Sequence, residues 1–567
     1  MNSTTETAEE LRQKVVDESI DSEPENCYKQ KYIQPYGVEG LEDLEDYREN
    51  GLHPVDILDI LDGRFEVCHK LGSGGIATVW LCYETARKRW RAIKINAASK
   101  SSENSAELKI AKVFENQDVT IQDLELHHII VAGETFWIEG PNGKHLCSVL
   151  PVLGPSLPHW RHMSVGFDAT RIKNVCYEIT EGLHFIHEHG ICHGDFRPQN
   201  ILMRLTEGGL DHLDPDDLFG LISLHRRHKV CTLNGESSSR APKWVVEPLR
   251  WFELKDLIQD SIAIVDFGEA FEVTSPPSFL GIPDTYASPE VAYGGAPWGK
   301  EIDVWSLALT IMETRTGVQL GETPNDPINR MEGFAGPIPP PYRSVAAEEM
   351  YRDEIRHFEA YGQEGEAQPQ PLSEKMLEST MSLTELISMQ SQGEVESLGE
   401  RKVSSPDGIE SELGRELWKS VLLSVEENVS GEQGAIKKVP YRIPKDELRI
   451  LADLLRRMLK YKPSDRLAAS SVLEHAWFKR VLGNEQFDRV NNHEQRLPSG
   501  SQGGLRTVDE KGNSLKPRMA SEDPVCVGNG YPKPLFSITP SQCLFSLIIL
   551  LPILISFIIL WIYQRDT

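Results

Sequence analysis

Five polar side chains, far apart in the chain, have the types and order needed for phosphoryl transfer from a magnesium nucleotide. Asp195, in "HGDFRPQN", would accept or orient the proton of an attacking hydroxyl. Asn200, five residues on, offers an amide oxygen to magnesium, and Asp266 in "IVDFGEA" would hold the main metal with its carboxylate. Lys94, between apolar strand residues in "RAIKI", could reach two phosphates, and Glu107 in "SAELKIAK" would keep its ammonium charged and aimed. Upstream lies "LGSGGIATVWL", in which Leu71, Gly72, Gly74 and Val79 would line a nucleotide: the glycines let backbone amides approach phosphates and Val79 covers the base. Taken singly, each residue has a plain structural reading: a hairpin turn, an edge-strand lysine, a solvated helix carboxylate, a loop cap. Their joint order is what points to chemistry.

That order, Gly loop, Lys, Glu, H-x-D-x-x-x-x-N and D-F-G, is the protein-kinase signature set. "YASPEV" (286–291) resembles the element closing an activation segment. Asp303 in "EIDVWSLAL" would hydrogen-bond the catalytic-loop backbone, and Arg466 is placed to pair with Glu290. At "DGRFEVCHKLGSGGIATVWLCYE" and "NGKHLCSVLPVLGPSL" the chain resembles the SR-protein kinases, a serine/threonine family of the CMGC group, over roughly residues 50–480. The resemblance implies a two-lobed α+β kinase fold, ATP and Mg2+ as cofactors, and Arg-Ser-rich protein substrates. It makes Leu150 the gatekeeper and Pro151 to Leu153 the hinge that binds adenine.

Four positions depart from the pattern. Gly194 removes the arginine that binds an activation-loop phosphate in many kinases; the family resemblance implies a site that does not wait for phosphorylation. Arg197 replaces lysine, keeping a positive charge near the transferred phosphoryl on a wider, planar head. Ala77 stands at a frequent third glycine, and Pro283 occupies the place of a threonine three residues before Tyr286. The metal and proton groups are all present, so the expectation is a working kinase; the alternative is a pseudokinase scaffold that binds nucleotide or a protein partner without transfer.

The surrounding elements must position these groups. "RFEVCHKL", "TVWLCYE" and "RWRAIKI" read as antiparallel strands. Ile172, Val175, Cys176, Ile179, Leu183 and Ile186 recur at helical spacing behind a candidate cap, Asp168, and Gly190 is the expected stop. "VWSLALTIMETRTG" and "ELRILADLLRRML" read as further helices. Strands first and helices later predict two lobes with a cleft between them, and the resemblance makes these a kinase small lobe at 51–155 and a large lobe at 156–480. Residues 204–260 and 345–437 read as surface insertions, the second acidic and largely disordered. There is no internal repeat.

Residues 1–50, with 14 acidic and 5 basic side chains, read as a disordered acidic arm, and 481–540 as a flexible stalk. The span 543–563 contains "LFSLIILLPILISFIILWIY", 20 uncharged residues, long enough as a helix to cross a hydrocarbon layer of ~30 Å. It predicts a single-pass C-terminal anchor with the kinase domain in the cytosol. Nine scattered cysteines without CxxC pairs fit a reduced compartment, not a disulfide framework or zinc site. The net charge of -27 argues against direct nucleic-acid binding and suits a basic partner or a solvated acidic surface.

Overall fold

The computed structural model describes residues 31–35, 38, 40–163, 169–222, 226–235, 238–318, 327–340, 342–361, 368–378, 381–383, 386, 408–422 and 436–479. The expected cap Asp168, the stalk and the apolar span 543–563 lie outside the described residues. Among the described residues, no helix is long and apolar enough to cross a membrane.

A six-stranded antiparallel sheet forms the small lobe, in the order β1-β2-β3-β4-β6-β5. Its strands are β1 (Ile60–Leu61), β2 (Phe65–Gly74), β3 (Ala77–Glu84), β4 (Arg89–Asn96), β5 (Glu134–Gly140) and β6 (Gly143–Leu150). Alternation does the sorting: Phe65, Val67, Trp80, Cys82, Ile93, Ile95 and Cys147 turn to one buried layer. Directly opposed residues share a face, so the register Gly72↔Val79↔Lys94↔Ser148 sets the Gly loop, Val79 and Lys94 side by side. Helix α1 (Ala106–Asn116) buries Glu107, Ile110 and Phe114, spaced by three and four, against the large lobe. The short α2 (Ile121–Leu126) follows behind a Thr120–Asp123 capping box.

The large lobe begins with α3 (Leu157–Met163) and α4 (Ala169–Glu188), whose buried face carries all six apolar residues expected from the sequence. Gly190 follows it at φ +74°. Next come β7 (Ile191–Cys192), β8 (Ile201–Leu205), α5 (Pro215–Leu221), β9 (Arg227–Lys229), β10 (Trp244–Val246), β11 (Ile258–Ile264) and β12 (Phe271–Glu272). Helix α6 (Pro289–Tyr293) leads into α7 (Glu301–Thr316), which is buried almost all round and forms the centre of the lobe. Helices α8 (Pro327–Ala335) and α9 (Tyr342–Tyr361) pack near it. They are followed by α10 (Glu374–Leu377), α11 (Gly408–Gly414), the hairpin β13 (Leu417–Leu422)–β14 (Ile436–Tyr441) and α12 (Lys445–Met458). The two helices expected from "VWSLALTIMETRTG" and "ELRILADLLRRML" are present as α7 and α12.

Two expectations need correction and a third gains detail. Residues 31–50 are not a disordered arm: Tyr32, Leu44 and Tyr47 are buried with Leu52, Ala97, Ala241 and Val245. The acidic composition hid a short apolar period, and one acid is buried with a partner. Glu42 pairs with Lys70, both side chains essentially inaccessible, and Tyr47 Oη donates to Glu42 Oε1 at 2.6 Å. The insertion 204–260, expected at the surface, is docked on the small lobe. Leu210, Leu218 and Ile222 pack on Cys68, Leu81 and Trp90 of the small lobe, while Trp90 donates to Asp211 Oδ1 at 2.6 Å and to the Leu213 carbonyl at 2.9 Å. Residue 32 bridges residue 232, so arm and insertion clasp each other. The insertion 345–437 is ordered at both ends, where Ala346, Ala347, Ile409, Leu413 and Leu417 join the main core.

The Glu42–Lys70 pair lies beneath the Gly loop: Lys70 is in β2, and Ser73 Oγ donates to the Gly40 carbonyl at 3.0 Å. Removing one member leaves a buried charge. Glu42→Ala should therefore cost about 3–5 kcal/mol in chemical denaturation, whereas Glu42→Leu with Lys70→Met should recover most of that loss.

Candidate active site

Strand pairing brings the distant groups together. Antiparallel β8 and β11 pair Ile201 with Ile264, and the Val265 N–H donates to the Asn200 carbonyl at 3.0 Å. Asn200 and Asp266 therefore flank one ladder end beside Asp195. From the small lobe, Lys94 Nζ lies 2.8 Å from Asp266 Oδ1 and 3.6 Å from Glu107 Oε2. Burial alone would lower the lysine's pKa, but the two carboxylates outweigh it and hold Lys94 well above its usual range. Burial likewise opposes the charge on Asp266, and Lys94 more than offsets it, keeping that carboxyl below its ordinary value. Asp266 takes the left-handed conformation, φ 65°, with Oδ1 accepting also from the Gly268 N–H.

On the catalytic loop, Asn200 Nδ2 donates to the Asp195 carbonyl at 2.9 Å and to its Oδ2 at 2.7 Å. That fixes the amide orientation and leaves the Asn200 oxygen for a cation. Arg197 Nε donates to both Asp195 oxygens, at 2.9 and 3.1 Å. Burial raises the Asp195 pKa, against the pull of Arg197. This adjusts the expectation for Arg197: its charge neutralises the Asp195 carboxylate directly. A hard cation needs oxygen donors, and the Asp266 carboxylate with the Asn200 amide oxygen fits magnesium.

Asp303, buried in α7, holds the loop from below. Its oxygens accept from the His193 N–H at 2.7 Å and the Gly194 N–H at 3.0 Å, with His187 Nε2 at 3.0 Å. The Glu290–Arg466 pair is bidentate, at 2.6 and 2.7 Å, and fully buried. Both contacts are as expected. His193 was not singled out in the sequence: its ring lies 5.0 Å from that of Phe267, and Phe267 meets Phe114 of α1 edge-on. The "H" of H-x-D was the available signal. Pro283 replaces the expected threonine with a turn, its carbonyl accepting from the Tyr286 N–H at 2.9 Å and the Ala287 N–H at 3.1 Å. Leu71, Gly72 and Val79 are half-buried along the small-lobe sheet, and Gly74 is exposed at its turn beside Ala77. Leu150 ends β6, and Pro151 and Leu153 lie in the irregular stretch joining the lobes.

Residues 65–250 match the protein kinase domain model. The chain carries a protein kinase domain, and the fold built above is its two-lobed form. Among curated relatives, human SRSF protein kinase 3 is 37% identical over 170 residues, 29% of this chain and 30% of that protein. Protein kinase dsk1 of Schizosaccharomyces pombe is 35% identical over 182 residues, 30% of this chain and 32% of that protein. The Physarum polycephalum serine/threonine-protein kinase SRPK is 30% identical over 302 residues, 49% of this chain and 66% of that protein. The chain thus spans less than a third of the length of the first two.

Gly194 has φ +77°, and a Cβ there would stand 2.3 Å from the Glu269 carbonyl oxygen. Gly194→Ala should lower stability by about 1–3 kcal/mol in urea denaturation, and Gly194→Arg should not restore a phosphate-responsive enzyme but lose the fold of the loop.

Proposed function

We propose that this chain is an ATP-dependent protein serine/threonine kinase acting on basic, Arg-Ser-rich protein substrates. The observation that carries the reading is the convergence of Lys94, Glu107 and Asp266, from three separate elements, into one charge cluster in which Lys94 and Glu107 are buried and Asp266 is partly exposed. Lys94, held charged by its partners, would take up the negative charge of the nucleotide phosphates. Asp266 and Asn200 would hold magnesium, which when bound supplies further charge stabilisation to the phosphoryl group. Asp195 would aim the substrate hydroxyl and receive its proton, so catalysis is positioning plus electrostatics. Arg197 would move from Asp195 toward the phosphates as the base is freed. The net charge of -27 and the resemblance to SR-protein kinases support a basic substrate.

The test compares phosphate transfer to an Arg-Ser peptide by the full chain and by Asp195→Asn. A working kinase loses roughly a hundredfold or more in turnover on that change, in line with the worth of a positioned general base. Equal, near-background rates, with magnesium-dependent ATP binding retained, would instead establish the scaffold. Replacing the arginines that flank the serine should abolish most transfer; an unchanged rate would remove the Arg-Ser preference.

We also propose that residues 544–563 tether the chain to a membrane with its catalytic unit on the cytosolic side. The support is the uncharged run of 20 residues, with Trp561 and Tyr563 at one end for the interface. In fractionated cells the full chain should stay in the membrane pellet through an alkaline carbonate wash, and Ile555→Arg with Leu550→Arg should release it. Recovery of the unaltered chain in the wash would defeat the proposal.

A further inference from the structure

The activation segment, from Asp266 to Glu290, has no catalytic-loop arginine at position 194 to receive a phosphate, yet it is held at several points. Its first turn pairs with the catalytic loop, Phe271 opposite Cys192, and the Val273 N–H donates to the Gly190 carbonyl at 2.9 Å. Leu280 is buried against Cys192, Phe271 and Ile302. Between these points one side chain spans the segment. Glu269, directly after D-F-G, accepts the Gly281 N–H on Oε2 at 2.9 Å. Its Oε1 lies 4.0 Å from Lys100 Nζ, on the stretch that follows β4 in the small lobe. The carboxylate sits flat on the backbone: a Cβ added to Gly281 would come within 2.9 Å of Oε1 and 3.2 Å of Cδ. At its other end, the Glu269 carbonyl fills the space that a side chain at 194 would need. Thr274, Ser275 and Ser278, the hydroxyls available for modification in the connecting loop, are all exposed to solvent.

We propose that Glu269 is a positioning residue for the protein substrate. Its unmodified carboxylate ties the outgoing limb of the activation segment to the incoming one, while its backbone carbonyl packs against the catalytic loop at Gly194. A permanent charge-assisted hydrogen bond thus does what a phosphate paired with arginine could do, and the substrate-facing limb is set without modification. Gly194 and Gly281 are the two places where a side chain is missing so that Glu269 can fit. The inference rests on the kinase reading above and names how that same site is held.

The experiment measures the full chain, Glu269→Ala, Glu269→Gln and Gly281→Ala, with KM for ATP and for an Arg-Ser peptide determined separately. Loss of one charge-assisted hydrogen bond should raise the peptide KM of Glu269→Ala roughly tenfold or more, with the ATP KM within about twofold. Glutamine keeps an acceptor oxygen and should restore peptide KM to within about threefold of the original. Gly281→Ala should mimic Glu269→Ala, because its methyl displaces the carboxylate. The triple variant Thr274→Ala, Ser275→Ala, Ser278→Ala should keep full peptide turnover. Unchanged peptide KM in Glu269→Ala, or equal rises in both KM values with a fall in thermal midpoint, would overturn the proposal, as would inactivity of the triple variant. Amide hydrogen exchange at Gly281 supplies a readout independent of catalysis: it should accelerate in Glu269→Ala, and unchanged protection would overturn the latch. Should the unaltered chain match Asp195→Asn in turnover, the kinase reading fails, while the exchange result still decides whether Glu269 holds the segment.

Discussion

A buried ammonium is the constraint on which the site depends. Lys94 belongs to the small-lobe sheet, Glu107 to the helix packed behind it, and Asp266 to the large lobe. Burial works against the charge of so enclosed a lysine and the facing carboxylates outweigh it, while burial of Asp266 is in turn outweighed by Lys94. The cluster therefore couples three elements electrostatically, and separating the lobes would leave these charges without their partners. Phe114 and Phe267 repeat the coupling in apolar form, since the helix carrying Glu107 rests on the residue after Asp266. The proposed nucleotide site is in this sense an electrostatic joint between lobes, resting on the packing on either side.

The catalytic loop is held by a different means. Asp303 accepts two successive backbone N–H groups, those of His193 and Gly194, and this requires the chain at 194 to turn through positive φ. Glycine takes that conformation without the penalty a Cβ would bring. The same absence of a side chain lets the Glu269 carbonyl approach, so a position that elsewhere carries a charge serves here as close-packed backbone. Arg197 shows the complementary change: its planar head lies against Asp195 and both oxygens of that carboxylate are occupied.

The small lobe is larger than its strands suggest. The stretch around residues 31–52 closes one edge, and the insertion after β8 covers another, supplying the Asp211 carboxylate to the Trp90 backbone N–H and the Leu213 carbonyl to its indole N–H. Neither feature was evident from composition. A segment with 14 acids in 50 residues looks unfolded, because hydrophobic content and net charge are averages over the whole segment. What orders its second half is local and specific: three apolar side chains with partners, and one carboxylate with a buried lysine 28 residues away in sequence. Similarly, 345–437 reads as disordered when averaged, although a few apolar residues at its two ends are enough to join the main core.

Particular residues show where legibility stops. Lys94, Glu107, Asp195, Asn200 and Asp266 could be named from the chain alone because magnesium-nucleotide chemistry restricts residue type and order, and because regular strands and helices advertise their buried faces by period. The fold class, the long helix through Ile179 and the pairing of Glu290 with Arg466 were legible for the same reasons. Glu269 and the Glu42–Lys70 pair were not, since a carboxylate in sequence is equally a solvated charge or a structural acceptor. Only the approach of distant backbone and side chains decides between those, and that approach is set by packing of whole elements. The sequence by itself determined which residues are candidates for the chemistry and the elements that deliver them; the tertiary structure alone decided which acids are partners, which loops are walls, and which contacts the activation segment makes, because these depend on contacts whose members carry no periodic or local signal.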